Sequence, residues 1–135
     1  IHKYDRKYKI LIIKQEIAYF AMVLFIGASV LMFFLGEQRM KVEQLEEYDA
    51  IITELTIARE NDSAQFESLY EKACTLMPEK LDAHYQKAVY LTEQCRYEEN
   101  ILFIQENLLN QTSLSGQDFA DDTYYLIANC YYERE

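Results

Sequence analysis

The sequence predicts an all-α chain in which one transmembrane helix is followed by helical hairpins stacked as an α-solenoid. Two observations point to helices. Glycine and proline are scarce, three and one in 135 residues, and Leu, Ala, Glu, Gln and Tyr fill much of the rest, a composition that favours helix over strand. A third observation, an uncharged apolar run near the start, sets the first helix apart from the others.

The elements follow in chain order. Residues 1–16 form a basic juxtamembrane segment carrying Lys3, Arg6, Lys7, Lys9 and Lys14. From Ile17 to Leu35 the chain reads IAYFAMVLFIGASVLMFFL, without charge or proline. At 1.5 Å per residue this run spans about 28 Å, close to the hydrocarbon thickness of a bilayer. A soluble core helix is the weaker reading, because so small a domain has little protein to surround a rod that is apolar all round. A cleaved signal peptide is disfavoured by the length of the run and by FFLGEQRM, which holds no small-x-small site. The only polar side chains in the run are Tyr19 and Ser29, so this helix offers no ion or proton path. Gly27, Ala28 and Ser29 make a small-residue patch that would admit a second helix, and a homo-oligomer with it, although no GxxxG is present.

Charge sets the expected orientation. Residues 1–35 hold five Lys/Arg against two acids, a net of +3; residues 36–135 hold eight against twenty-one, a net of −13. The excess of cations before the run places the N-terminal flank in the cytoplasm and the acidic body outside it, in a cell membrane crossed once. The basic flank also suits anionic lipid headgroups. An acidic body argues against nucleic acid and for basic partners.

Residues 36–60 read as a linker or first repeat helix, with Leu45, Tyr48, Ile52 and Leu55 at steps of three and four and Ile51 beside them. At 61–63, NDS is a capping turn in which Asp62 or Ser63 caps the helix QFESLYEKACTLM. Pro78 stops that helix. LDAHYQKAVYLTEQC, a turn at Arg96, and YEENILFIQENLL follow; residues 110–118 read as a loop and DDTYYLIANCYYERE as a last helix. Residues 61–135 thus form hairpins that break off inside a repeat. The start at Ile1 and the stop within a helix suggest a piece of a longer protein.

Phe66 to Leu108 resembles tetratricopeptide repeats, whose 34-residue unit is a helix hairpin with a small residue where helices A and B cross. Counted from Leu81, His84 falls in the aromatic fourth slot, Ala88 in the small eighth, Leu91 in the eleventh and Tyr97 in the seventeenth. In the same register Tyr70, Ala73 and Pro78 take slots twenty-four, twenty-seven and thirty-two of the preceding repeat. TYYLIANCYY resembles another helix A, with Tyr124 fourth, Ile127 seventh, Ala128 eighth and Tyr131 eleventh. The pattern has departures. Slot twenty, usually small, holds Phe66 and then Asn100; Glu54 stands where the first helix A wants a small residue; and 110–118 carries about six extra residues.

The resemblance implies a concave groove lined by helix A slots two, five, nine, twelve and thirteen. These are Asp82, Tyr85, Val89, Thr92 and Glu93 in one repeat, and Asp122, Tyr125, Asn129, Tyr132 and Glu133 in the next. Tyrosine, acid and amide side chains suit an extended peptide with basic residues. The whole layout resembles the membrane and external part of bacterial Ser/Thr kinases that carry such repeats, a sensor or scaffold role. The alternative is a structural subunit of a secretion or envelope complex, with a layout like the type VII pseudokinases.

No enzyme is expected from this segment. HExxH, the P-loop, Gly-x-Ser-x-Gly and kinase signatures are all missing from the sequence, although a kinase-like domain upstream fits the layout. His84 lies ten residues from Cys74 and eleven from Cys95, which are not metal-ligand spacings, and it fits a packing slot. No cofactor or metal is expected. The three cysteines cannot all pair within one chain and read as small buried or half-buried thiols ahead of a disulfide or regulatory role.

Overall fold

A computed structural model describes the backbone of residues 2–61 and 63–135, and the side chains of these except His2 and Ser63. Among the described residues five α-helices follow one another: α1 His2–Asn61, α2 Ser63–Leu76, α3 Asp82–Glu93, α4 Tyr97–Ile104 and α5 Ala120–Arg134. A π-helical turn, Gln105–Leu109, widens the end of α4, and a single 3-10 turn, Leu114–Gly116, interrupts the loop before α5. Among the described residues there is no strand. The fold is all-α. The cap expected of Asp62 or Ser63 lies outside the described residues.

The chain divides into two units, Ile1–Glu43 and Gln44–Glu135. The first consists of the N-terminal part of α1. Its apolar side chains are exposed on every face, including Ile17, Phe25 and Phe33. Among the described residues α1 is the one helix long and apolar enough to cross a membrane. Ser29 satisfies its hydroxyl within the helix by donating to the Phe25 carbonyl at 2.8 Å, as a polar side chain in an apolar stretch must.

The second unit packs five helical segments into a chain of neighbours. The last turns of α1 bury Tyr48, Ile51, Leu55 and Ala58 against Phe66, Leu69 and Ala73 of α2 and Ala83, Tyr90 and Leu91 of α3. The steps three, four and three keep these α1 residues on one stripe. The seam is therefore 48–51–55–58, one step round from the stripe expected at 45–48–52–55: Leu45 is exposed and Ile52 only half-buried. Glu54, expected where a small residue would let helices cross, faces solvent. A second core holds Leu81, which precedes α3, Ala88 of α3, Ile104 and Leu108 of α4 and its π turn, Leu114 of the loop and Ala120 of α5. The polar stretch 110–118 thus contributes a buried leucine, which its composition concealed.

Side-chain contacts fix the directions. Lys72 reaches Glu47, and Lys87 reaches Glu67, so α2 runs antiparallel to both α1 and α3. The Tyr48 hydroxyl accepts from the Ala83 N–H at 3.3 Å while Arg59 meets Gln86 and Glu93, so α1 and α3 run parallel. Tyr85 stacks on Phe119, and Thr92 lies against Cys130, so α3 and α5 run parallel. Asn100 reaches back to Ala88, making α4 antiparallel to α3. Alternate helices point the same way.

Candidate protein-interaction face

Three parallel segments, α1 from residue 44, α3 and α5, set up one continuous face of the second unit. On α3 the stripe runs through Asp82, Tyr85, Val89, Thr92 and Glu93. All of these are half-buried except Glu93, which is exposed. One margin is held by Arg59 of α1. Its Nη1 donates to Gln86 Oε1 at 2.7 Å and its Nε lies 3.4 Å from Glu93 Oε2, in ion-pair range without an aligned hydrogen bond. The other margin is α5, where the Tyr85 and Phe119 rings stack at 4.7 Å. Burial and the nearby Asp122 carboxylate push the Tyr85 hydroxyl above its usual range, and Arg59 pulls it back. Arg59, Tyr85 and Asp122 therefore share one electrostatic neighbourhood.

On α5 the spacing 122, 125, 129 and 132 is three, four and three, one helix face. Asp122, Tyr125 and Tyr132 are exposed and Asn129 is half-buried. This face flanks the buried stripe Ala120, Thr123, Cys130 with Ile127 half-buried beside it. Ala128, expected in a small eighth slot, is exposed, and Tyr124 and Tyr131 sit on the same open side; Tyr131 Oη accepts from Gln105 Nε2 at 3.0 Å.

Four of the residues read from the sequence are only loosely part of this face. The Thr92 hydroxyl turns inward, donating to the Ala88 carbonyl at 2.9 Å and accepting from Asn100 Nδ2 at 2.8 Å. Glu93 is engaged by Arg59. Asp82 lies near Tyr48, at the start of α3, where its charge acts on that phenol. Glu133 lines an open depression with Cys95, Arg96, Tyr97, Glu98, Glu99 and Arg134, at the turn between α3 and α4. What remains together is Tyr85, Asp122, Tyr125, Asn129 and Tyr132, with Val89 between the helices' margins.

Arg59 was not among the expected residues. Its place in α1 became meaningful only once α1 lay beside α3. The same holds for Phe119, which directly follows the expected loop 110–118.

A second cluster lies between α2, α3 and α4. The Tyr70 hydroxyl is 2.8 Å from His84 Nδ1, the rings of Tyr70, His84 and Phe103 meet edge to face, and Lys87 Nζ sits 4.5 Å from the Tyr70 ring centre while pairing with Glu67. Burial, and then the Lys87 charge, lower the His84 pKa. Burial raises the Cys74 thiol, the opposite of what a reactive thiolate requires. Among the described residues no group of His, Cys, Asp and Glu is placed to hold a metal ion. These rings pack. No protein family, curated protein or solved structure matches the chain.

Proposed function

We propose that this chain is a single-pass, membrane-anchored interaction module of tetratricopeptide-like repeats, the sensor or scaffold part of a bacterial signalling protein such as a Ser/Thr kinase. The observation that carries the reading is the alternation of α1, α2, α3, α4 and α5 with Ala88 fully buried where α3 meets α4. A small residue there lets two helices approach closely, and each hairpin covers the next. The exposed apolar surface of residues 17–35 supports the anchor, and the cation excess before it supports a cytoplasmic N-terminal flank.

The partner in this reading is a protein segment bearing Lys or Arg. It lies along Tyr85, Asp122, Tyr125, Asn129 and Tyr132, where rings offer contact area and cation–π attraction and the carboxylate selects charge. The test uses the full chain in lipid nanodiscs and a peptide array varying only in basic content. Binding should favour Lys/Arg-bearing peptides, and Tyr125→Ala with Tyr132→Ala should weaken it by about tenfold or more. Both rings are exposed, so the fold should persist. Peptide capture indifferent to both substitutions would defeat the groove, and complete extraction of the chain by alkaline carbonate would defeat the anchor.

A further inference from the structure

The helical geometry of the first unit gathers cations that look scattered in the sequence. At 100° per residue, Lys9, Arg6, Lys3, Lys14 and Lys7 fall within an arc of about 160° on α1. Asp5 and Glu16 border that arc on its Lys9 side, about 40° and 20° away, with Asp5 in one depression with Lys3, Arg6 and Lys9, and Tyr4, Tyr8 and Leu11 occupy the far side. Between the cations stands a turn that is apolar all round: Ile10, Leu11, Ile12 and Ile13, every one of them exposed. Four cations, Lys3, Arg6, Lys7 and Lys9, precede this turn and Lys14 follows it. Ile17 begins only three residues later, about 4.5 Å along the axis.

An all-round apolar turn bracketed by cations has one favourable environment. Its side chains gain by leaving water, while Lys and Arg stems can stretch back towards a charged surface. Counted from Ile10 to Leu35, the helix is about 39 Å long, more than the hydrocarbon thickness, so its upstream end reaches the headgroup layer. We propose that residues 6–14 dock anionic phospholipid headgroups: Ile10–Ile13 enters the boundary between headgroup and acyl chain, and Arg6, Lys7, Lys9 and Lys14 engage lipid phosphates. The occupant is lipid because the basic arc is continuous with the apolar span. A soluble polyanion would neutralise the cations and leave the four apolar side chains in water.

This inference rests on the membrane-anchored reading, and its test separates the two. The full chain is reconstituted in mixed phosphatidylcholine–phosphatidylglycerol vesicles, and insertion is checked by resistance to alkaline extraction. Spin-labelled forms of the two lipids then report which one the helix holds at its surface. The expected result is about threefold stronger association of labelled phosphatidylglycerol, falling towards parity at high salt. The same parity is expected of the variant Arg6→Gln, Lys7→Gln, Lys9→Gln, Lys14→Gln, which should still insert. Lys3→Gln alone, about 21 Å from Ile17 along the axis, should change little. An inserted chain that holds both lipids equally, or a variant that keeps the preference, overturns the lipid site and leaves the anchor standing. Equal lipid association with capture of the chain by a soluble polyanion reassigns the basic arc and overturns it too. A chain extracted by alkali overturns both readings.

Discussion

Cys95 holds a left-handed backbone, φ 56°, directly after the last turn of α3. Its N–H donates to the Thr92 carbonyl and that of Arg96 to the Leu91 carbonyl, each at 3.0 Å. This is the paired closure in which glycine is usual, because a Cβ is strained there. Cys95 is exposed, its thiol meeting the Tyr97 side chain at the surface turn, so Cys95→Gly should stabilise the fold by about 1 kcal/mol, read as a higher denaturation midpoint at unchanged slope. Asn100 is the other residue whose chemistry decides something. It is fully buried, and its Nδ2 faces the Ala88 carbonyl at 2.9 Å, the Thr92 hydroxyl at 2.8 Å and the Cys130 sulfur at 3.3 Å. One amide thereby ties α3, α4 and α5 together. Asn100→Ala should cost about 1–2 kcal/mol in chemical denaturation. Asn100→Asp should cost more, because it aims a carboxylate at a carbonyl oxygen in a dry site; if the two variants prove equal, the amide contacts are not what the site rewards.

At the scale of elements, helix approach is set by side-chain volume. Ala88 is buried between α3 and α4 whereas Ala128 is exposed on α5. Ala88→Leu should therefore destabilise by about 1–3 kcal/mol through overpacking, and Ala128→Leu should stay within about 0.5 kcal/mol of the parent. Thermal melts of the pair give the comparison. The junction of α2, α3 and α4 adds a pH dependence. His84 there faces Tyr70 from α2, Lys87 from its own helix and Phe103 from α4, while Glu67 pairs with Lys87 and Cys74 lies beside Tyr70. Its folded pKa lies below the unfolded value near 6.5, so between the two values the unfolded chain binds the extra proton. Stability is then complete above the unfolded pKa and declines as pH falls towards the folded one. His84→Gln should flatten this part of the pH–stability curve, leaving the acid limb of the carboxylates in place. These elements also show what a linear pattern can reveal. The run 17–35, the helix starting near Leu81 and the buried pair Ala88 and Leu91 were legible because local hydropathy and a step of three or four determine them. The seam on α1 slipped by a step, Leu114 hid within a polar loop, and Arg59 joined the face on α3 only through tertiary packing. No short-range pattern encodes which of two adjacent stripes meets a neighbour.

At the scale of the molecule, the second unit is a relay. Its first core joins α1, α2 and α3, its second joins α3, α4 and α5, and α3 gives buried residues to both while Phe103 of α4 packs against each. Stability in such a chain of neighbours is a sum of local interfaces, and damage at one end need not spread to the other. Leu108, fully buried in the second core, provides the test. Leu108→Ala should cost about 3 kcal/mol through lost burial and a cavity. In hydrogen exchange, the amides of α4 and α5 should then open more readily, while those around Leu55, Phe66 and Leu69 in the first core keep their protection. The functional consequence follows from where the face lies. Tyr125, Asn129 and Tyr132 ride on α5, and Tyr85 is stacked on Phe119 at the entry to that helix. Under the proposed function, loosening α5 should thus weaken capture of a basic peptide although Leu108 itself is fully buried. Uniform acceleration of exchange across both cores would mean that the unit opens as a single cooperative body, and α3 would then transmit damage instead of containing it.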